Sequence, residues 1–289
     1  MANVIELFKK YITLLDEVYK NSAKTAVLDG DNALVQAGAN ANEIIIPKIS
    51  MDGLADYSRS SGYVMGNVEL TTETVKFNYD RGRKFSVDAM DNEETAGLAF
   101  GRLASEFIRT KVVPEMDAFR FASYAAKAGI GTDTGTLADG AAVLTALVNA
   151  QSAMDEEEVP EENRILFITP TLYNAVNAVD TTKSKEVLAS FAQRVSVPQT
   201  RFYTAIDLLD GVTGGEEVGG FTKADGASDI NFMIIHKPAT LQYTKHTVNK
   251  IITPEANQDT DGWLFFYRAY GLTDVYENKT AGIYMHRKA

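Results

Sequence analysis

The chain has 289 residues, 45% of them hydrophobic, enough for one large core or two modest ones. It contains no cysteine, which excludes a disulfide framework, thiolate metal sites and thiol nucleophiles. A formal charge of -11 and a pI of about 4.8 oppose non-specific attachment to nucleic acid or anionic lipid, because both need clustered Lys and Arg.

In the opening run MANVIELFKKYITLLDEVYK, Val4, Leu7, Phe8, Tyr11, Leu15 and Val18 recur on one helical face, with Glu6, Lys9, Lys10, Asp16 and Glu17 elsewhere. An amphipathic helix docked on its own domain is the reading; a membrane-surface helix would carry a richer basic face. Acids inside the apolar run and the lack of a small-residue cleavage site argue against a secretory signal, and no segment approaches the roughly 18 apolar residues of a membrane span. From Asn21 to Asn42 the chain is small, polar and without period, which reads as an extended arm, followed by a short strand at Glu43 to Ile49.

Between Met51 and Met90 the period shortens toward two. Val75, Phe77 and Tyr79 alternate with Thr74, Lys76 and Asn78, and Phe85 and Val87 continue beyond a turn-like DRGRK. This predicts a β-hairpin or ribbon, too small to stand alone in water, so its apolar face must lie on another element or another chain. Arg81, Arg83 and Lys84 would form its positive tip, either as a solvated turn or as a contact between subunits.

The stretch Asp91 to Ala128 predicts one long helix of about 50 Å. Asp91 and Glu94 offer a capping pair, Gly129 offers a left-handed stop, and Phe100, Leu103, Phe107, Phe119, Ala122 and Ala126 keep helical spacing. Pro114 should bend it, because its ring removes a donor and collides with the carbonyl of Thr110. Further helices are expected over Ala141 to Met154, Thr171 to Val179 and Lys185 to Val195, with a buried strand from Arg164 to Thr169. NFMIIHKP, LQYTKHTVNKII and WLFFYRAYGLTDVYENKTAGIYM supply the closing strands.

No motif assembles an active site. GVTGGEEVGG, Gly211 to Gly220, lacks the Gly-Lys-Ser/Thr ending of a phosphate cradle and places Glu216 and Glu217 where anions would sit, so it reads as a flexible loop or hairpin turn. Asn257 to Gly262 mimics half a calcium loop, but Arg268 occupies the position of the bidentate Glu. His236, His246 and His286 have no metal-ligand spacing, and the acid run Asp155 to Glu158 reads as a solvated helix end. Asn278-Lys279-Thr280 has the form of a glycosylation acceptor and is expected to be idle. No catalytic, cofactor-binding or metal-binding residue is therefore expected, and a hydrolase reading finds no support.

The order of parts is more informative: helix and arm, β-ribbon, long kinked helix, α+β region, strand-rich end. Together with IIHKPATLQ, Ile234 to Gln242, and DGWLFFYRAYGLTDVYENKTAGIY, Asp261 to Tyr284, it resembles the major capsid protein of tailed bacteriophages, of the Hong Kong 97-type fold. The resemblance covers essentially the whole chain. It implies an α+β fold with an N-terminal helix and arm over 1–50 and an extended β-loop over 51–90. A spine helix and peripheral domain would span 91–140, completed by strands within 240–289, and an axial domain 141–240. It also implies a structural, non-enzymatic subunit that assembles with itself, as hexamers and pentamers, into an icosahedral shell enclosing double-stranded DNA without sequence-specific binding. Because the opening helix is only about twenty residues long, the comparison further implies a separate scaffolding protein beside a portal. The location would be the virion, with assembly in the host bacterial cytoplasm and no membrane involved. Some relatives link a Lys of the extended loop to an Asn of a neighbour; Lys76 and Lys84 lie in that stretch, but no motif marks a partner. An encapsulin-like compartment housing cargo enzymes is the alternative on the same fold.

Overall fold

A computed structural model describes residues 23–30, 36–37, 42–94, 98–179 and 181–289. The expected helix over residues 4–18 and the side chain of Phe100 lie outside the described residues.

The run RILFI shows how one sheet organises half of the chain. In β6 (Arg164–Ile168) every residue is buried, and so are four consecutive apolar residues of β10 (Ile230–His236), its antiparallel neighbour. Strand side chains alternate faces, so both faces of this sheet must be covered. Ile165, Phe167, Met233 and Ile235 enter one apolar cluster with Phe121, Tyr124 and Phe202; Leu166, Ile168, Phe232 and Ile234 enter another. The second cluster is closed by α4 (Gly140–Glu156), α5 (Pro170–Val179) and α6 (Thr182–Ala189). The sheet is completed by β13 (Ile283–Arg287), antiparallel to β10, and by two parallel edge strands, β5 (Gly131–Thr134) on β13 and β7 (Gln193–Ser196) on β6. The helix expected over Lys185 to Val195 is corrected here. A reciprocal cap between Thr181 and Ser184 starts α6 earlier, and from Ala192, whose amide bonds the Arg164 carbonyl, the chain is drawn into pairing with β6. Sheet pairing overrides a weak local helical period.

A helical rod carries the other half. It comprises α1 (Ala89–Glu94), α2 (Leu98–Phe107), a wide turn over Ile108–Val112 and α3 (Val113–Ala125). The cap is Asp88, not Asp91: its Oδ1 accepts the Met90 amide at 2.9 Å, where the preceding strand ends. At the far end α3 stops at Ala125, and Gly129 takes its left-handed φ of +87° in the turn that follows. The strain expected at Pro114 is absorbed one residue earlier, where the Val113 amide bonds back five residues to the Ile108 carbonyl, a π-type insertion. Against this rod lies the sheet β11–β12–β4, formed by β11 (Thr240–Ile252), β12 (Gly262–Val275) and β4 (Tyr79–Asp88). Tyr79, Phe265, Tyr267 and Ala269 of its inner face meet Ala104, Ile108, Val112, Val113 and Met116.

The two strands of the stretch Met51 to Met90 do not pair with each other. Its first strand, β3 (Val68–Lys76), pairs instead with the preceding β2 (Glu43–Met51), from Glu43↔Lys76 out to Met51↔Val68, and the two-residue β1 (Gln36–Ala37) lies beside β2. The chain changes sheets at Phe77–Asn78, where Asn78 accepts the Thr273 amide at 3.0 Å and donates to the Thr273 carbonyl at 2.8 Å. DRGRK then runs through the interior of β4. A Cβ at Gly82 would stand 2.7 Å from the Tyr267 carbonyl, so this glycine serves close strand approach and not a turn. Arg81, Arg83 and Lys84 are consequently mid-strand residues and form no tip.

Candidate assembly surfaces

The β2–β3 hairpin is anchored at one end and bare at the other. At its base Ile44, Ile46 and Val75 are buried with Leu241 and Leu272. Lys48 lies between Glu73, at 3.1 Å, and Glu277. Phe77 stacks on Tyr270 with centroids 4.8 Å apart, and the Lys245 ammonium sits 4.9 Å from the Phe77 ring. Farther out, Ile49, Met51, Leu54, Val68 and Leu70 are all exposed. The tip is built nonetheless: Asp52 and Asn67 close it through hydrogen bonds of 2.7 and 3.1 Å, Ser58 pairs with Gly62, and Tyr57 meets Tyr63 at 4.8 Å. It presents Tyr63 at 89% and Met65 at 95% exposure, and several exposed large apolar side chains on one hairpin are of the kind that marks an interaction site.

The segment leading into the hairpin is fixed by a buried carboxylate the sequence did not advertise. Asp117 of α3, 1% exposed, accepts the Lys24 and Thr25 amides at 3.0 Å each, the Thr25 hydroxyl at 2.7 Å and Arg201 Nη1 at 3.0 Å. Arg120 donates to the Thr25 hydroxyl at 2.9 Å, and Gln242 donates to the Thr25 carbonyl and to Asp29. Leu28 then drops fully into the core beside Phe121 and Tyr124. The expected arm is thus pinned over Thr25–Leu28, a single 3-10 turn.

The glycine-rich loop also has a defined task. It joins β8 (Ile206–Leu209) to β9 (Gly220–Lys223) as a hairpin connection. Arg81 bonds Glu115 at 2.8 Å and the Gly220 carbonyl at 3.1 Å, and Arg83 donates to the Glu217 carbonyl at 3.0 Å. Gly211 and Gly219 have φ of +77° and +67°, and a Cβ on either would stand 2.6 or 3.2 Å from Arg83 Nη1. The glycines therefore cradle a guanidinium, not a phosphate. Tyr79 donates to the same Glu115, and burial, reinforced by that carboxylate, pushes its phenol well above its ordinary value. Lys84 lies 5.5 Å from the Phe266 ring, and Lys76 ends β3 opposite Glu43.

The remaining candidates are spread through the fold. His286 is buried in β13; Asn231 donates to its Nδ1 at 3.0 Å, which places the ring proton on Nε2, 3.9 Å from Asp133. Burial lowers its pKa, with Asp133 opposing, and burial with Arg164 and Lys279 lowers that of His236. His246 sits at a register shift in β11. Asn257 closes a turn, accepting the Asp259 amide at 3.2 Å and donating to the Gly262 carbonyl at 2.9 Å, and Arg268 is held by Asp80 at 2.7 Å. Asn278-Lys279-Thr280 lies in the 3-10 turn Glu277–Gly282. Among the described residues no three His, Asp or Glu side chains are grouped to hold a metal, and no helix is long and apolar enough to cross a membrane.

The sequence matches no protein-family profile and no curated protein. Its architecture matches solved structures over most of its length. A chain from Mycobacterium phage Che8 superposes with a TM-score of 0.57 at 12% identity, covering 93% of this chain and 90% of that one. A chain from the capsid of cyanophage P-SCSP1u gives 0.55 at 13% identity, covering 86% and 84%. The chain has the fold of tailed-phage major capsid proteins. The same capsid fold extends to a virus-like particle from Pyrococcus furiosus, with a TM-score of 0.57 at 10% identity and coverage of 97% and 99%. At such identities the likeness lies in architecture, so the surfaces above, and not shared residues, connect the capsid fold to a role.

Proposed function

We propose that this chain is a major capsid protein of the Hong Kong 97 type, a structural subunit that assembles as hexamers and pentamers into an icosahedral shell around the double-stranded DNA of a tailed phage. In this reading the helices α1 to α3 belong to the spine helix, the β2–β3 hairpin is the extended loop, and the five-stranded sheet with α4 to α6 is the axial domain. The observation that carries it is the hairpin's anchored base and bare apolar tip, which a neighbouring subunit would cover in a closed shell. Scaffolding protein and portal would be its partners, and the virion, assembled in the bacterial cytoplasm, its location. The acidic balance fits DNA held by confinement and not by grip. The likeness to the Pyrococcus virus-like particle leaves open a second reading, a compartment housing cargo enzymes, which has less support than the phage shell.

Tyr63→Asp with Met65→Asp tests the role of the tip. The double variant is expected to fold with an unchanged unfolding midpoint and to lose assembly on size-exclusion chromatography. Particles of wild-type size from this variant contradict the reading. Nuclease-protected DNA in particles from infected cells favours the phage shell, and a co-purifying enzyme favours the compartment.

A further inference from the structure

From Tyr203 to Asp229 no residue is buried, although Phe202 and Ile230 on either side are fully so. The β8–β9 hairpin therefore projects from a fixed base, where the Ile230 amide bonds the Phe202 carbonyl and the Thr204 amide bonds the Ser228 carbonyl, at 3.0 Å each. A two-stranded hairpin with no buried face is marginal in water, so this one depends on what reaches it from outside. A cleft of about 700 Å³ undercuts it, opening between β4, the wide turn of the rod and the hairpin, with Leu209, Val218 and Phe221 on its wall. Beyond the base, the side-chain hydrogen bonds that reach the hairpin from the rest of the described fold come from Arg81 and Arg83 of β4.

The two arginines hold different things. Arg83 donates to the Glu217 carbonyl and so ties the hairpin to β4 alone. Arg81 ties three bodies: its Nε donates to Glu115 Oε1 at 2.8 Å, and its Nη2 lies 3.1 Å from the Gly220 carbonyl and 3.4 Å from Glu115 Oε2. Glu115 is buried on α3, three residues past Val112, which places it about 4.5 Å along the axis from the end of the π-type turn. A helix flexes at such an insertion, so bending there displaces Glu115. The guanidinium is a planar fork engaged on both sides, and it carries that displacement to Gly220.

We propose that the β8–β9 hairpin is a strap whose latching depends on the bend of the rod, with Arg81 as the positioning residue that couples the two. With Arg81 in place the strap and the π-type turn loosen together; without it each loosens alone. The device lies within one subunit, so it does not rest on the proposed assembly.

Amide exchange in the full, unassembled chain tests this, with β10 as the internal reference for global stability. Arg81→Met is expected to speed exchange, beyond any change in β10, at least tenfold over residues 206–223 and at least fivefold over residues 110–115. Arg83→Met is expected to speed the hairpin and leave the rod unchanged. Glu115→Gln alters only the rod, yet it is expected to speed hairpin exchange at least threefold when Arg81 is present and to add nothing in the Arg81→Met background. Hairpin exchange unmoved by Glu115→Gln, or Arg81→Met acting on the hairpin alone as Arg83→Met does, overturns the coupling. Hairpin exchange that follows β10 in every variant overturns the strap itself. Should Arg81→Met fail to fold, Glu115→Gln against the wild-type chain decides the same question, because Glu115 reaches the hairpin only through Arg81.

Discussion

Asp117→Ala should detach the arm from the rod. The wild-type carboxylate is 1% exposed and accepts four hydrogen bonds, two from the Lys24 and Thr25 amides, one from the Thr25 hydroxyl and one from Arg201. Hydrogen bonds to a charged group contribute about 1.5 to 3 kcal/mol each, but they share one acceptor and are not additive. Removing one partner of a buried ion pair costs about 3 to 5 kcal/mol, because the other charge is left uncompensated, and Arg201 is the stranded partner here. A loss of about 4 kcal/mol is therefore expected in urea unfolding of the unassembled chain. Asp117→Asn keeps the shape and one acceptor oxygen and should lose about half as much. Amide exchange separates local from global effects: at Lys24 and Thr25 it should accelerate strongly in both variants, while in the central strand β10 it should accelerate only in proportion to the loss of global stability. Retained protection at Lys24 and Thr25 with a loss below about 1 kcal/mol in Asp117→Ala would refute the anchoring role.

Gly211→Ala forces a side chain into left-handed backbone and onto Arg83 Nη1, so it should cost about 1 to 2 kcal/mol, and less in an Arg83→Ala background; equal costs in both backgrounds would remove the cradle. Pro114→Ala should keep the π-type turn, because Val112 and Val113 are both buried and fix the register; an α-helical Ile108–Val112 in the variant's structure would show that the proline imposes it. Burial holds His286 and His236 below the ordinary 6.5, so the unfolded chain takes up their protons first as pH falls. Their contribution is complete above 6.5 and declines below it, so the urea midpoint should drop from pH 6.5 toward 5, less steeply in His286→Asn; a midpoint rising on acidification contradicts this.

The sequence revealed elements where side-chain period and burial agree. ILFI, Ile165 to Ile168, and FMII, Phe232 to Ile235, are continuous apolar runs because both faces of their sheet are covered, and α4 and α5 follow their own sequence signals to within a few residues. It failed where pairing is non-local. Nothing in Met51 to Met90 announces that β3 pairs backward with β2 while β4 pairs with β12, since alternation specifies a face and not a partner. Gly82 read as a turn because close approach and tight turning select the same residue. Asp117 was invisible because a lone acid in a helical run resembles any surface acid until the fold brings Thr25 and Arg201 to it. Nothing in the sequence joins Arg83 to the glycine loop, for the same reason.

An electron cryo-microscopy map of the purified, assembled protein tests the central claim most directly. A closed icosahedral shell is expected, with residues 49–70 of each hairpin lying across a neighbouring subunit and Tyr63 and Met65 covered there. A monodisperse monomer, or a particle in which the hairpin tip packs wholly on its own chain, would contradict it.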